Sequence, residues 1–536
     1  MIRMAAMLRS KTPTRFRLDE RTCGLLFHPT CLPGPHGSGD LGPAAYRFVD
    51  FLVTAGQRWW QMLPLGPVGP GNSPYSSPSA FAGSPLLISL ERLVEERLLT
   101  ADDLEPVRNF SAERVRYGPV IRYRTARLRK AFSAFQRQGG HKQAAFERFC
   151  VEQREWLEDY ALFCALRHAG RGAAWTSWER DLRLRRTAAL RRARRELREQ
   201  IAYERFVQYL FACQWAALKN HCARRGVGLI GDLPIFVAHD SSDVWTHREL
   251  FLLDAAGRPQ VVSGVPPDKF SRTGQLWGHP LYRWERHEAT GWRWWLARLR
   301  HTLAQFDAVR IDHFLGFNRC WAVPGRARTA RRGGWLKSPG AALFSAVANT
   351  LGPVQIIAED LGVITREALA LRDRFGFPGM RLLQFAFGDD AESRYHQPHN
   401  APRRSVVYPG THDNHTALGW FRALRRARRK RKGKDGLTEQ QRVLRYLGTD
   451  GRQIHWDLIR LAYMSPANLA IIPVQDLLGL DDRARMNTPA TTRGNWSWRL
   501  PPGRLTATIA RRLRDLADTH ERTARRPPLS SARTPV

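Results

Sequence analysis

The strongest constraint in this sequence is a recurrence. Short apolar runs rich in branched and aromatic residues return between longer amphipathic stretches, as strands alternate with helices around a parallel sheet. Eight such runs stand out: TCGLLFH from Thr22, RWWQMLPL from Arg58, VGLIGDLPIF from Val227, DAVRIDHF from Asp307, VQIIAED from Val354, MRLLQFAF from Met380, SVVYPG from Ser405 and LAIIPVQDLL from Leu469. That number suits a closed (β/α)8 TIM barrel, an α/β fold; a doubly wound open sheet is the alternative. Most runs end in a polar or charged residue followed by a Gly- or Pro-containing loop, and in such barrels the chemistry sits at the carboxyl ends of the strands. The rule gathers Asp232, Asp312, Glu359 and Asp413 at one mouth.

A chain of 536 residues exceeds one small core, but a barrel with inserted helical subdomains absorbs it as one catalytic domain, residues 1–520. The first insertion, 84–226, lies between strands 2 and 3 and has helical spacing: Trp156, Tyr160 and Phe163, then Phe206, Tyr209, Leu210 and Cys213. An aromatic stripe at that spacing is assigned to packing rather than to a sugar platform. A second helical insertion, 417–464, separates strands 7 and 8. The tail 521–536, RTARRPPLSSARTPV after Glu521, is Pro-, Ser- and Arg-rich without periodicity and is expected to be disordered.

The formal net charge is +36, a field that attracts polyanions. Its densest runs, Arg180 to Gln200 and Arg422 to Lys434, have the pattern of exposed helix faces or a solvated loop, and no nucleic-acid motif accompanies them. Nucleic acid is therefore not the expected partner. Seven scattered cysteines with no C-x-x-C pair argue against a disulfide framework or zinc site. With no secretory pattern at the N-terminus and no apolar run of membrane-spanning length, the expected protein is soluble and cytoplasmic, without membrane partners. A monomer is favoured.

In AVRIDHF, strand alternation puts Ala308, Arg310 and Asp312 on one face. If that face is the lumen, the Arg310 guanidinium keeps the Asp312 carboxylate ionised, as a nucleophile requires. A purely structural Arg–Asp pair reads equally well from the spacing. In VQIIAEDLG, Glu359 emerges from an apolar strand, where desolvation raises its pKa towards that of a general acid; a helix cap suits Asp360 better. In YPGTHDN, a Pro-Gly turn delivers His412, Asp413 and Asn414, groups suited to sugar hydroxyls. Three carboxylates from three strand ends permit a retaining glycosidase arrangement.

These segments resemble the conserved blocks of the amylomaltases, the 4-α-glucanotransferases of glycoside hydrolase family 77. The likeness spans most of the chain and includes GSGDLGP from Gly37, GNSPYSSPSAFAGSP from Gly71, GDLPIFVAHDSSDVW from Gly231, GVPPDKFSRTGQLWGHPLY from Gly264, VRIDHF, AEDLG, GTHDN and NTPATTRGNWSWRL from Asn487. The resemblance implies Asp312 as nucleophile, Glu359 as general acid/base and Asp413 as the carboxylate on the ring hydroxyls, supported by Arg310 and His412. It also implies that Asp232, Tyr75, Asp268 and Trp277 line the glucan groove. The sequence departs from the family pattern at Lys269, where an aromatic residue is usual, at His279, where Asn is common, and at Ala490, where Gly is common. These departures bear on acceptor subsites and chain length.

The implied activity is 4-α-glucan transfer between a maltodextrin donor and a glucose or maltodextrin acceptor, by double displacement through a covalent glucosyl-enzyme. No cofactor and no metal are expected, since no His/Cys cluster has ligand spacing. An α-amylase-like hydrolase is the first alternative, because water can intercept the same intermediate. A catalytically inactive polyanion-binding barrel, motivated by the charge, is the second.

Overall fold

In the computed structural model, described over residues 16–105, 110–138, 141–267, 271–426 and 433–523, all eight apolar runs form strands. They are β1 (Thr22–Leu26), β2 (Trp59–Gln61), β3 (Gly228–Pro234), β4 (Ala308–Asp312), β5 (Ile356–Ala358), β6 (Gly379–Leu382), β7 (Ser405–Tyr408) and β8 (Leu469–Pro473). Each pairs in parallel with the next in the chain, and β8 pairs with β1, which closes the barrel. The open-sheet alternative is thereby excluded. Parallel strands covered on both faces bury both sets of alternate side chains, so they read as continuous apolar runs. Leu25, Ile230, Val309, Ile357, Val407 and Ile471 are all fully buried in one core. Closure also needs close backbone approach: a Cβ on Gly24 would meet the Trp59 carbonyl oxygen at 2.4 Å.

Between β2 and β3 the chain forms a helical assembly that includes Tyr117–Arg137, Arg154–Ala169 and the long Arg198–Arg225 helix. That last helix ends at Gly226, whose φ of +76° is the left-handed conformation glycine adopts without steric cost. Tyr160, Phe163, Phe206 and Leu210 are buried, Trp156 stacks on Phe81, and Tyr209 packs at a tilt against Phe149; the stripe is packing. Helices Ala417–Arg426, Glu439–Leu447 and Ile454–Met464 separate β7 from β8. In the first basic run, helix Thr187–Glu196 exposes Arg191, Arg192, Arg194 and Arg195 to solvent; the second run lies partly outside the described residues. All seven cysteines are free thiols. No helix of the described residues is long and apolar enough to cross a membrane.

Two features differ from the expectation. A four-stranded antiparallel sheet, which no apolar run announced, is built from Gln275–Pro280, Val261–Val265, Arg319–Pro324 and Gly334–Lys337 in that spatial order. It grows from the loops after β3 and β4. Arg522, within the segment expected to be disordered, is fully buried and donates to the carbonyls of Thr22, Tyr463 and Ser465, among others. Those main-chain acceptors fix the end of the described chain to β1 and to the end of helix Ile454–Met464. Residues 524–536 lie outside the described residues.

Candidate active site

The barrel register assembles the site. Asp232 of β3 and Arg310 of β4 are register partners, and so are Pro234 and Asp312, so the three charged side chains point into one lumen. Arg310 Nη1 donates to both oxygens of Asp232 at 2.7 Å, and Nη2 donates to Asp312 at 3.0 Å. The same Nη2 lies 4.0 Å from Glu359. Glu359 follows β5 directly, and Ile311 pairs with Ala358, so the register carries Glu359 next to Asp312. Its orientation is fixed by the backbone N–H of His313, which donates to its carboxylate at 2.5 Å. His313 itself adopts φ +50°, a left-handed conformation in which non-glycine residues are uncommon.

A second chain of bonds runs from Asp232. The Tyr75 hydroxyl donates to Asp232 at 2.7 Å and lies 2.9 Å from His412 Nε2. With its proton committed to the carboxylate, the hydroxyl oxygen accepts from His412, which assigns the Nε2–H tautomer. The two rings stack at 5.3 Å between centroids. His412 Nε2 is 3.3 Å from Asp413, whose carboxylate also accepts from the Asn487 amide at 2.6 Å. Arg485 donates to the Asp413 main-chain carbonyl.

Burial dominates the titration of Asp312, Glu359 and His412. It pushes Asp312 up to about 7 against the pull of Arg310, and it drives Glu359 well above the ordinary carboxylate range, again opposed by Arg310. Arg310 alone therefore does not hold Asp312 in the usual carboxylate range, as the spacing suggested. It decides which carboxyl ionises first: the nearer one, Asp312, while Glu359 keeps the proton. Burial also holds His412 below its usual pKa, and hence neutral at pH 7.

The carboxylates open into a cavity of about 1410 Å³ that Tyr75, Trp277, Arg310, Asp312, Glu359 and Asp413 line. Trp277 stands on the four-stranded sheet with its ring edge-on to His313 at 4.8 Å. His279, on the same strand, lines the cavity, and burial lowers its pKa to about 4. Ala490 also lines it with φ +63°, where glycine would be free of strain. Asp268 and Lys269 lie outside the described residues. Every other site residue named from the sequence converges here, with the roles of His313, Asn487 and Arg485 added. Asn487 opens a motif already singled out, whereas the His313 contact is made by backbone and has no side-chain signature. Among the described residues, no group of three His, Cys, Asp or Glu side chains could hold a metal ion.

A model of the 4-alpha-glucanotransferase family, glycoside hydrolase family 77, matches residues 27–506. The 4-alpha-glucanotransferase of Thermus thermophilus is 47% identical over 511 residues, covering 94% of this chain and 99% of that protein. The Synechocystis 4-alpha-glucanotransferase is 46% identical over 492 residues, covering 91% and 95%. Among solved structures, the amylomaltase from Streptococcus agalactiae in complex with acarbose matches with a TM-score of 0.89 at 36% identity, covering 94% of this chain and 100% of that one. Fold and comparisons together define an enzyme built on a (β/α)8 barrel. The chain belongs to the 4-alpha-glucanotransferases of glycoside hydrolase family 77.

Proposed function

We propose that this enzyme transfers segments of α-1,4-glucan from a maltodextrin donor to the 4-hydroxyl of glucose or another maltodextrin, by double displacement with retention. The observation that carries the reading is one guanidinium nitrogen 3.0 Å from Asp312 and 4.0 Å from Glu359 at the mouth of the cavity. Legs of that length accommodate the roughly 5–5.5 Å carboxyl separation of retaining enzymes. The Asp312 carboxylate attacks the anomeric carbon and forms a C–O ester bond as the glycosidic C–O bond breaks. The departing oxygen takes that electron pair and the proton of Glu359. Glu359, now a base, removes the proton of an acceptor 4-hydroxyl; its oxygen bonds to the anomeric carbon and displaces Asp312. Two inversions restore the α configuration. Asp413, held by Asn487 and 40% exposed at its side chain, takes hydroxyl hydrogen bonds from the distorted ring. Tyr75 and Trp277 supply faces for sugars. The enzyme works as a cytoplasmic monomer.

The test is incubation with maltotriose, following chain lengths, free glucose and total reducing ends. Glucose plus a ladder of longer maltodextrins at constant reducing ends is expected. Reducing ends that rise in step with cleavage would make the enzyme a hydrolase. Asp312→Asn should abolish turnover with unchanged thermal unfolding, and substantial residual turnover would remove Asp312 from the role of nucleophile.

A further inference from the structure

Among the described residues, the exposed large hydrophobic side chains are Ile121, Val151, Tyr446 and Met464 on helices, Leu276, Trp335 and Leu336 on the four-stranded sheet, and Val363 in the loop after β5. Single exposed apolar residues on an outer surface need no explanation, but two of these open onto the cavity of the carboxylates. Trp335, 39% exposed, and Val363, 51% exposed, line the same cavity as Asp312 and Glu359. Trp335 belongs to strand Gly334–Lys337, at the edge of the sheet and exposed throughout.

The indole is nonetheless held. Trp321 lies directly opposite in register and packs its ring edge-on at 5.3 Å, with its own Nε1–H committed to the Ala330 carbonyl at 2.9 Å. The Arg319 guanidinium sits 4.4 Å from the Trp335 ring centroid and lines the same cavity. A fixed aromatic ring beside a guanidinium offers an apolar surface and donors together. That combination suits a neutral ligand with C–H faces and ring hydroxyls.

We propose that Trp335, with Arg319 and Val363, forms the outer end of the substrate groove and stacks on a sugar unit remote from the bond being cleaved. It thereby selects for long glucan chains. The identity of the ligand rests on the glucan-transfer reading; the occupant follows from the continuity of this rim with the cavity that holds the carboxylates. The contact is made equally in ground and transition states, so it acts on binding and leaves the chemical step alone.

The experiment compares maltotriose with a maltodextrin of about twenty glucose units in the parent enzyme, Trp335→Ala and Trp335→Phe. For Trp335→Ala, KM for the long chain rises roughly tenfold while kcat, and both constants on maltotriose, stay within about twofold. Trp335→Phe restores most of the long-chain KM, as a flat ring suffices. Calorimetric titration of the same two sugars into Asp312→Asn, with and without Trp335→Ala, reads binding apart from turnover. An equal loss on both lengths, no loss on either, or a changed sedimentation coefficient in place of a length effect would overturn the proposal. A parent enzyme that binds the long chain through Trp335 yet makes no longer products would fault the transfer reading and leave this platform standing.

Discussion

Arg310→Met tests how the site is held. The replacement keeps most of the side-chain volume and removes the charge. Arg310 is 4% exposed at its side chain and Asp232 is wholly buried, so Asp232 is left with the Tyr75 hydroxyl and no cation. Breaking a buried pair from one side costs roughly 3–5 kcal/mol. Unfolding entropy of about 2 cal/mol/K per residue amounts to about 1 kcal/mol/K for a chain of this length, so the midpoint falls by only about 3–5 °C. The loss is also pH-dependent. A buried carboxylate stripped of its cation is costly only while it is ionised, so the penalty is small in acid and grows as pH rises. An arginine beside a carboxylate lowers its pKa by about one to three units. Removing it lets Asp312, already at about 7, climb further, and kcat/KM at pH 7 falls by roughly five- to five-hundredfold, a deficit that narrows at higher pH. Differential scanning calorimetry at several pH values and initial rates on maltotriose measure both effects. The double variant Arg310→Met/Asp232→Asn should regain most of the stability and none of the activity. Destabilisation that is flat with pH, or unrelieved in the double variant, would refute this account of the ion cluster.

Two further outcomes follow from burial. In the parent enzyme kcat/KM should decline as pH falls through about 7, because Asp312 takes up a proton there; a profile flat to pH 5 would show that Asp312 stays ionised in the free enzyme. Arg522→Ala should lower the unfolding midpoint and leave maltotriose kinetics unchanged. It strips a donor from the buried carbonyl of Thr22 and leaves those of Tyr463 and Ser465 to Arg21 alone, and a buried carbonyl left unpaired costs about 1–3 kcal/mol; an unaltered midpoint in calorimetry would place that end of the chain outside the cooperative unit.

The barrel was legible because its strands are covered on both faces and so read as unbroken apolar runs, most of them ending in a polar or charged residue. Alternation within one strand sufficed to set Arg310 beside Asp312. It could not pair Arg310 with Asp232, 78 residues away, or Asp413 with Asn487, 74 residues away. Those contacts depend on inter-strand register and loop closure, which no local pattern encodes. The four-stranded sheet escaped notice for the opposite reason to the barrel. Its strands carry Gly264, Gly278 and Gly334, and Gly334–Lys337 is exposed at every residue, so the short apolar stretch Cys320–Val323 has no run of like pattern beside it in the chain. The composition after Glu521 is that of a disordered segment, yet a single arginine is anchored by main-chain acceptors that the sequence cannot display.

What the register adds to the sequence is a division of labour among carboxylates that look alike in the chain. Asp232 is the most enclosed of the three around Arg310 and takes both bonds from Nη1, so it fixes the guanidinium and is not free to react. Asp312 receives one bond from Nη2 and is 28% exposed at its side chain. It therefore combines partial charge stabilisation with access to the cavity, the two properties a nucleophile needs together. Glu359 stands farthest from the cation and receives a backbone N–H instead, which orients it without supplying a full positive charge to drive off its proton. On the proposed mechanism, one arginine at graded distances from three carboxylates separates anchor, nucleophile and acid. The grading follows from the pairing of β3, β4 and β5, because that register sets the height of each side chain along the barrel axis.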